Sequence, residues 1–469
     1  MKKFGVVILT LVISLAAFSK ERVSLIIKNG QVLTMNEEKD IIEDGVIIVD
    51  DNRILKVGGE ELLKEYRAKK VIDAKGGIVI PGMINTHNHL PMIAFRGLGE
   101  EGIENRLFAY FFPLEGEKLS RDLIYKATIH GSIDMAMSGV TTYADMYYHM
   151  DEMAKATKKI GLRAVLGETV IKYPVVDAPT PYGGLEYAVD FINEYRNDEL
   201  ITPAFGPHAA YTVSEEKLKE IAQLQREYNV PVLIHLAENV KQPLELSEMK
   251  GRSFSETEFL DQVGLMNENT LVAHAIELSD NDIKILRDNN VGIAYNPMAN
   301  AKGATGIAKV MEMREAGIEN IGLGTDGPMS SNQVDLFRVL SYASVMQRIK
   351  YNDRTIMTPD EVLEMATIGG ARALNMASEI GSIEEGKKAD IVVIETDSPN
   401  MMPNYDPYAT IVFQANPHNV SSTIVNGRVI VENRKLLTYD MAKNKKNMEE
   451  ITEDIEEFAR ELAVKAKEM

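Results

Sequence analysis

Eight times between residues 78 and 327 a short apolar run is followed by a stretch with helical spacing, and no other feature limits the fold as tightly. The runs are I-V-I-P-G-M-I-N (78–85), V-T-T-Y-A-D-M (140–146), R-A-V-L-G-E-T-V (163–170), I-T-P-A-F-G-P-H (201–208), P-V-L-I-H-L-A-E (231–238), T-L-V-A-H-A-I (270–276), V-G-I-A-Y-N-P (291–297) and I-G-L-G-T-D-G (321–327). Apolar runs alternating with helical crossovers predict a parallel sheet, and eight such units in succession predict an α/β fold closed into a (β/α)8 TIM barrel. A barrel of that kind needs about 250 residues, whereas the chain has 469. The surplus lies at both ends. Segments 20–79 and 385–437 share a texture of short β-like runs and turns, as in S-L-I-I-K-N-G-Q-V-L-T-M (24–35) and S-T-I-V-N-G-R-V-I-V-E-N (422–433). A sheet with open edges and an apolar face needs a partner, so the two flanks are expected to build one small β-sandwich, with 80–384 inserted as the barrel. Residues 438–469, rich in Lys, Glu, Met and Ala, read as a solvated C-terminal helix.

Residues 1–19, M-K-K-F-G-V-V-I-L-T-L-V-I-S-L-A-A-F-S, combine a basic start, an apolar stretch and small residues Ala17 and Ser19 spaced as at a cleavage site. The expectation is a signal peptide and an exported, periplasmic or extracellular protein; a leader that is not recognised leaves the chain cytoplasmic. The apolar run is shorter than the ~20 residues of a spanning helix, so no stable membrane insertion is expected after cleavage. The chain has no cysteine. That excludes a lipoprotein anchor, disulfides and thiolate metal sites, and leaves histidine and carboxylate as the strong ligands. A formal net charge of −19 argues against nucleic acid as partner, because such binding is driven by clustered Lys and Arg. A small, neutral or cationic molecule is the expected partner, and a homo-oligomer is left open.

Of eight histidines, five fall at the ends of predicted strands: His87 and His89 on the first, His208 on the fourth, His235 on the fifth and His274 on the sixth. Glu238 follows the fifth and Asp326 the eighth. Alternate residues of a strand share a face, so His87-x-His89 aims two imidazoles at one point. Barrel closure collects strand ends at one mouth. Three imidazoles and one carboxylate suit one divalent cation, most simply Zn2+ with Fe2+ or Mn2+ as alternatives, and His87, His89, His235 and Asp326 are the expected ligands. Such an ion brings the pKa of its water from ~15.7 to about 7 and so yields hydroxide at neutral pH. Glu238, three residues after His235 in H-L-A-E, is placed to carry a proton from that water to a substrate ring nitrogen and then to a departing amine. His274 is expected to orient the water or help deprotonate it, with Asp326 sharing that role. His130 in a helical pattern reads as structural, His149 as a residue after the second strand, and His418 as part of the sandwich end. The Met-rich helical segments read as core filling.

These motifs, P-G-M-I-N-T-H-N-H-L-P-M, H-L-A-E, V-A-H-A, Y-N-P-M-A-N and G-L-G-T-D-G-P, resemble the amidohydrolase superfamily from residue 23 to about 436. Within it the chain is most similar to the 5-methylthioadenosine/S-adenosylhomocysteine deaminases, with triazine hydrolases and guanine deaminases nearby. The resemblance implies hydrolytic deamination of an aminated purine nucleoside with release of ammonia. It implies one metal rather than two, since F-G-P-H stands where binuclear members carry a lysine. It also implies that Glu115, in F-F-P-L-E, and His208 contact the ribose, with Glu238 and Asp326 facing the base. Arginines that hold a homocysteine carboxylate in that branch are not matched: Glu168 stands near that place, with Lys172 and Arg106 as the nearest candidate cations, and Arg106 replaces a tryptophan of the branch. The alternatives are an amidohydrolase acting on another heterocycle and a non-catalytic scaffold.

Overall fold

The computed structural model describes residues 20–100, 102–103, 106–239 and 254–468. The expected leader, 1–19, lies outside the described residues. Five strands open the chain: β1 (Glu21–Leu33), β2 (Ile41–Asp50), β3 (Arg53–Gly58), β4 (Tyr66–Asp73) and β5 (Ile78–Pro81). Eight follow in the barrel: β6 (Met83–Asn88), β7 (Val140–Tyr147), β8 (Arg163–Val170), β9 (Ile201–Pro207), β10 (Val232–Leu236), β11 (Thr270–His274), β12 (Gly292–Tyr295) and β13 (Ile321–Leu323). Four close the sheet domain: β14 (Ile391–Ile394), β15 (Val420–Val425), β16 (Arg428–Glu432) and β17 (Lys435–Leu436).

β6 to β13 form a closed barrel in chain order, every neighbouring pair parallel, and the ring shuts where Leu323 of β13 pairs with Asn85 of β6. Every residue of β6, β7 and β8 is buried. Two-sided burial also explains why β10 and β12, likewise buried throughout, read as nearly continuous apolar runs. Serine caps start several of the helices that return the chain: Ser279 accepts from Asp282 N, and the Asp282 carboxylate accepts from Ser279 N.

Among the described residues the flanking segments make one nine-stranded sheet, eight strands along one path with β4 beside β1, joined across the termini where β14 pairs antiparallel with β5. Leu25, Ile47 and Val79 from the N-terminal part share an apolar cluster with Ile391, Val393 and Ile424 from the C-terminal part. Each half therefore covers apolar surface that the other would leave wet. The sheet is tied to the barrel by a buried ion pair, Arg163 Nε to Asp390 Oδ2 at 3.1 Å, with Asp390 Oδ1 also accepting from Asn426 N at 2.6 Å.

Two expectations are corrected here. The run 78–85 is not one strand: Ile78–Pro81 belongs to the terminal sheet and Met83–Asn88 to the barrel. Gly82 is the joint, and a Cβ there would lie 2.0 Å from Thr141 Oγ1, so only glycine lets β5 pass this close to β7. The C-terminal helix, Met441–Glu468, is not solvated all round. Ile451, Ile455, Ala459 and Ala463, spaced by four, are buried against the barrel's outer segments, and Tyr110 Oη donates to Ala459 O at 3.2 Å. No helix among the described residues is long and apolar enough to cross a membrane.

Candidate metal centre

β6 delivers His87 from its last turn of pleat and His89 just beyond its end. His235 stands on β10, His274 ends β11, and Asp326 follows β13. Two of these positions have backbones in the left-handed region, His274 at φ 76° and Asp326 at φ 58°. Non-glycine residues hold such conformations only where their surroundings impose them. For Asp326 the constraint is visible: its N–H donates to His87 O at 3.0 Å, and its Oδ1 accepts from Gly327 N at 2.6 Å.

The side chains converge. His87 Nε2 lies 3.7 Å and His89 Nε2 3.5 Å from Asp326 Oδ1, and the Nε2 atoms of His89 and His235 are 3.3 Å apart. Ligand atoms of His87, His89 and Asp326 all fall within 4.8 Å of one another, as do those of His87, His235 and His274. His87 is common to both groups. The structure thus brings His274 into the same cluster as the four expected ligands.

Hydrogen bonds on the far side of each ring fix which nitrogen faces inward. His89 Nδ1 meets Met146 O at 2.6 Å, His235 Nδ1 meets His208 O at 2.7 Å, and His274 Nδ1 meets Asn300 Oδ1 at 2.9 Å. A carbonyl oxygen only accepts, so Nδ1 carries the proton of the first two rings, and their Nε2 lone pairs point at the cluster. Burial pushes His87 and His235 well below the usual imidazole range, and neighbouring imidazoles push the same way. Burial also lowers His89, against the opposing pull of Asp326. Neutral rings with inward lone pairs are what a divalent cation requires. His87 Nε2 is buried and has no hydrogen-bond partner in the structure, which leaves it costly to bury unless a cation completes it.

Beside the cluster lies a cavity of about 600 Å3 lined by His89, His235, His274 and Asp326 on the floor and by Glu238, Glu115 and His208 on the walls. Glu238 stands on the loop leaving β10. That loop is pinned one residue earlier, where Ala237, at φ 47°, donates its N–H to Glu256 Oε2 at 2.7 Å. Glu256 is itself buried, and burial raises its carboxyl to about 7. Glu115 is buried in the cavity wall and accepts from Tyr147 Oη at 2.5 Å; burial raises it to about 7, with the Tyr147 bond pulling the other way. His208 lies 4.9 Å from His235 between ring centres, bonds Thr212 Oγ1 through Nδ1 at 2.9 Å, and is lowered by burial to about 3.

Glu168 does not face the cavity. Its side chain is buried on the other side of β8, where Oε2 accepts from Met150 N at 3.1 Å, and the adjacent Thr169 lines the cavity instead. The strand's two-residue period decides between them, so the reading of Glu168 as a substrate-facing charge was one residue out of phase. Lys172 is spent on Tyr211 O at 3.1 Å, whereas Arg106 does line the cavity, stacked on Phe111 at 4.7 Å. His149, at φ 53°, sits behind the wall near Arg121 and Asp177; His130 meets Asn444 of the C-terminal helix; His418 meets Arg434. Sequence reasoning missed Asn300, Tyr147 and Glu256. Asn300 lies four residues after Asn296 on the helix following β12, and Tyr147 is the last residue of β7, a position that faces a barrel's mouth.

Comparison with known proteins agrees with this geometry. The sequence profile of the amidohydrolase family matches residues 78–430. A Syntrophus aciditrophicus protein named 5-methylthioadenosine/S-adenosylhomocysteine deaminase 1 is 34% identical over 94% of this chain and 99% of its own length. A Methanobrevibacter smithii protein named 5'-deoxyadenosine deaminase is 34% identical over 93% of this chain and 99% of its own. Among solved structures, an adenosine deaminase from Xanthomonas campestris with bound zinc superposes with a TM-score of 0.89 at 25% identity, covering 93% of this chain and 100% of that one.

Proposed function

The chain belongs to the amidohydrolase family, and from that premise we propose that it is a metal-dependent aminohydrolase that converts an adenosine-type nucleoside and water into the corresponding oxo-nucleoside and ammonia. The observation that carries the reading is the presence, in one cavity, of the imidazole and carboxylate cluster, the Glu238 carboxylate beside it and the buried Glu115 in the wall. His87, His89, His235 and Asp326 would hold one divalent cation, and zinc fits their borderline nitrogen and oxygen donors. When bound, that ion supplies Lewis acidity and a water ionisable near neutral pH.

The chain's own residues do the rest. Glu238 takes one proton from the attacking water and delivers it to the ring nitrogen as the oxygen adds to the amine-bearing carbon, then carries the second proton from the hydroxyl now on that carbon to the amine, so that the C–N bond breaks and ammonia leaves. His274, its Nδ1 held by Asn300, presents Nε2 toward the water and orients it. Asp326 faces the same point and can share the proton. Glu115 accepts hydrogen bonds from the two ribose hydroxyls, and His208 lines the sugar's other side. Residues 1–19 as a cleaved leader belong to the same reading, with N-terminal sequencing of the mature protein as their check.

Ammonia release from adenosine, 5'-deoxyadenosine and 5'-methylthioadenosine, measured against guanine and an amino-triazine, tests the proposal. Turnover of the nucleosides at least tenfold above the other heterocycles is expected. Preference for the triazine or guanine would move the chain to another branch of the family, and no turnover with metal bound would leave only a scaffold.

A further inference from the structure

The loop that carries Glu238 is gripped at the residue before it. Ala237, at φ 47°, donates its N–H to Glu256 Oε2 at 2.7 Å, and its carbonyl accepts from the N–H groups of Ile276 and Glu277 at 3.0 and 3.1 Å, on the loop leaving β11. Non-glycine residues keep such a backbone only where their surroundings impose it. Glu256 opens the helix Glu256–Gln262 and is 2% exposed. Ser255 caps that helix, and its hydroxyl donates to the Asp282 carboxylate in the first turn of the next helix, Asp280–Asp288, so the Glu256 carboxyl stands on an anchored base. A buried carboxyl is costly unless donors meet it, and filling the space alone would call for an apolar side chain. Here backbone amides meet it: those of Ala237 and Ala210 pull the carboxyl down against burial, while Glu238 pushes it up. Ala210 lies two residues past His208 on the loop after β9.

We propose that Glu256 is a positioning residue for proton transfer: by holding the Ala237 amide it fixes where the Glu238 carboxyl stands, and it acts on the reaction through Glu238. The inference rests on the reading of Glu238 as the proton carrier. That carrier must reach the water, the ring nitrogen and the amine in turn, each at about 2.6–3.2 Å. A displacement of about 1 Å at a reacting group can cost about 10²-fold. Without an acceptor at position 256 the Ala237 amide is buried unsatisfied, and the loop must shift to find one.

The test is a double-mutant cycle on the zinc-loaded protein, with kcat, KM and metal content measured on a nucleoside that the wild type turns over. Glu256→Leu fills the space without an acceptor and should lower kcat by about 10- to 100-fold, with KM within about threefold and the metal retained. Glu256→Gln returns an acceptor oxygen and should recover kcat to within about threefold of the wild type. In a Glu238→Gln background, Glu256→Leu should lower kcat by no more than about twofold further, because the group it positions is already gone. Should the leucine variant not fold, Glu256→Asp takes its place: it keeps the charge, draws the oxygen back by one methylene and should show the same loss. A kcat near that of the wild type, an equal loss in the Glu238→Gln background, or loss of the metal together with kcat overturns the positioning role while leaving the deaminase reading intact. A wild type that binds zinc and releases no ammonia from any nucleoside overturns the deaminase reading itself, and the positioning role falls with it.

Discussion

Glu238 and Glu115 both line the cavity, and their chemistry can be tested apart. Glu238 stands in the cavity beside the cluster, and the role proposed for it is proton transfer. Glu238→Gln keeps the shape and removes the titratable group, so turnover should fall by about 10²–10⁴-fold while metal content is unchanged. Near-normal kcat in that variant would remove Glu238 from the chemistry. Glu115 is buried, and burial raises its carboxyl to about 7 from the usual 4.5. The native state therefore keeps the Glu115 proton over an interval in which the unfolded chain gives it up, so native stability falls as pH rises from about 4.5 to 7 and levels off above that. Glu115→Gln lacks this dependence. The melting temperature of the wild type, relative to the variant, should be higher at pH 5 than at pH 8, and a difference that is flat with pH would show that Glu115 is not buried uncharged. The residues that converge on the centre were legible because histidine is scarce and strand ends are few. Asn300 and Tyr147 were not, since a neutral polar side chain that only orients another group leaves neither a charge pattern nor a period in the sequence.

Elements position these groups, and one does so from outside the barrel. The segment Leu107–Lys118, which carries Glu115, rests on the C-terminal helix Met441–Glu468 through Tyr110 and Ala459. Ile455, one turn before Ala459 on that helix, is 2% exposed. Ile455→Ala should cost about 2–5 kcal/mol in stability and raise KM for nucleoside more than it lowers kcat, because the Glu115 wall loosens while the metal cluster does not. Denaturant midpoints with steady-state kinetics would check both, and a variant with lowered kcat and unchanged KM would contradict the link. The eight barrel strands could be read from their apolar runs, since burial on both faces leaves that signature. The helix's buried stripe was obscured by its abundance of Lys and Glu. The join at Gly82 was hidden for the opposite reason, because β5 and β6 are both fully buried and the apolar residues from Ile78 to Ile84 run across the joint from one sheet into the other.

At the scale of the molecule, two bodies share one chain. The terminal sheet closes over the barrel's outside through Arg163 and Asp390, while the chemistry is gathered at the strands' C-terminal ends. This division sets β1–β5 before the barrel and β14–β17 after it, while the proposed ligands on β6, β10 and the turn after β13 meet at one point. The proposed ligands come from residues 87 to 326, and barrel closure brings them within reach of one another. Elemental analysis of the purified protein beside His235→Ala tests that convergence most directly. One equivalent of divalent metal per chain in the wild type, falling below a tenth in the variant with the melting curve still cooperative, is the predicted result; a variant that keeps its full equivalent, or a wild type that binds none when zinc is supplied, would contradict it.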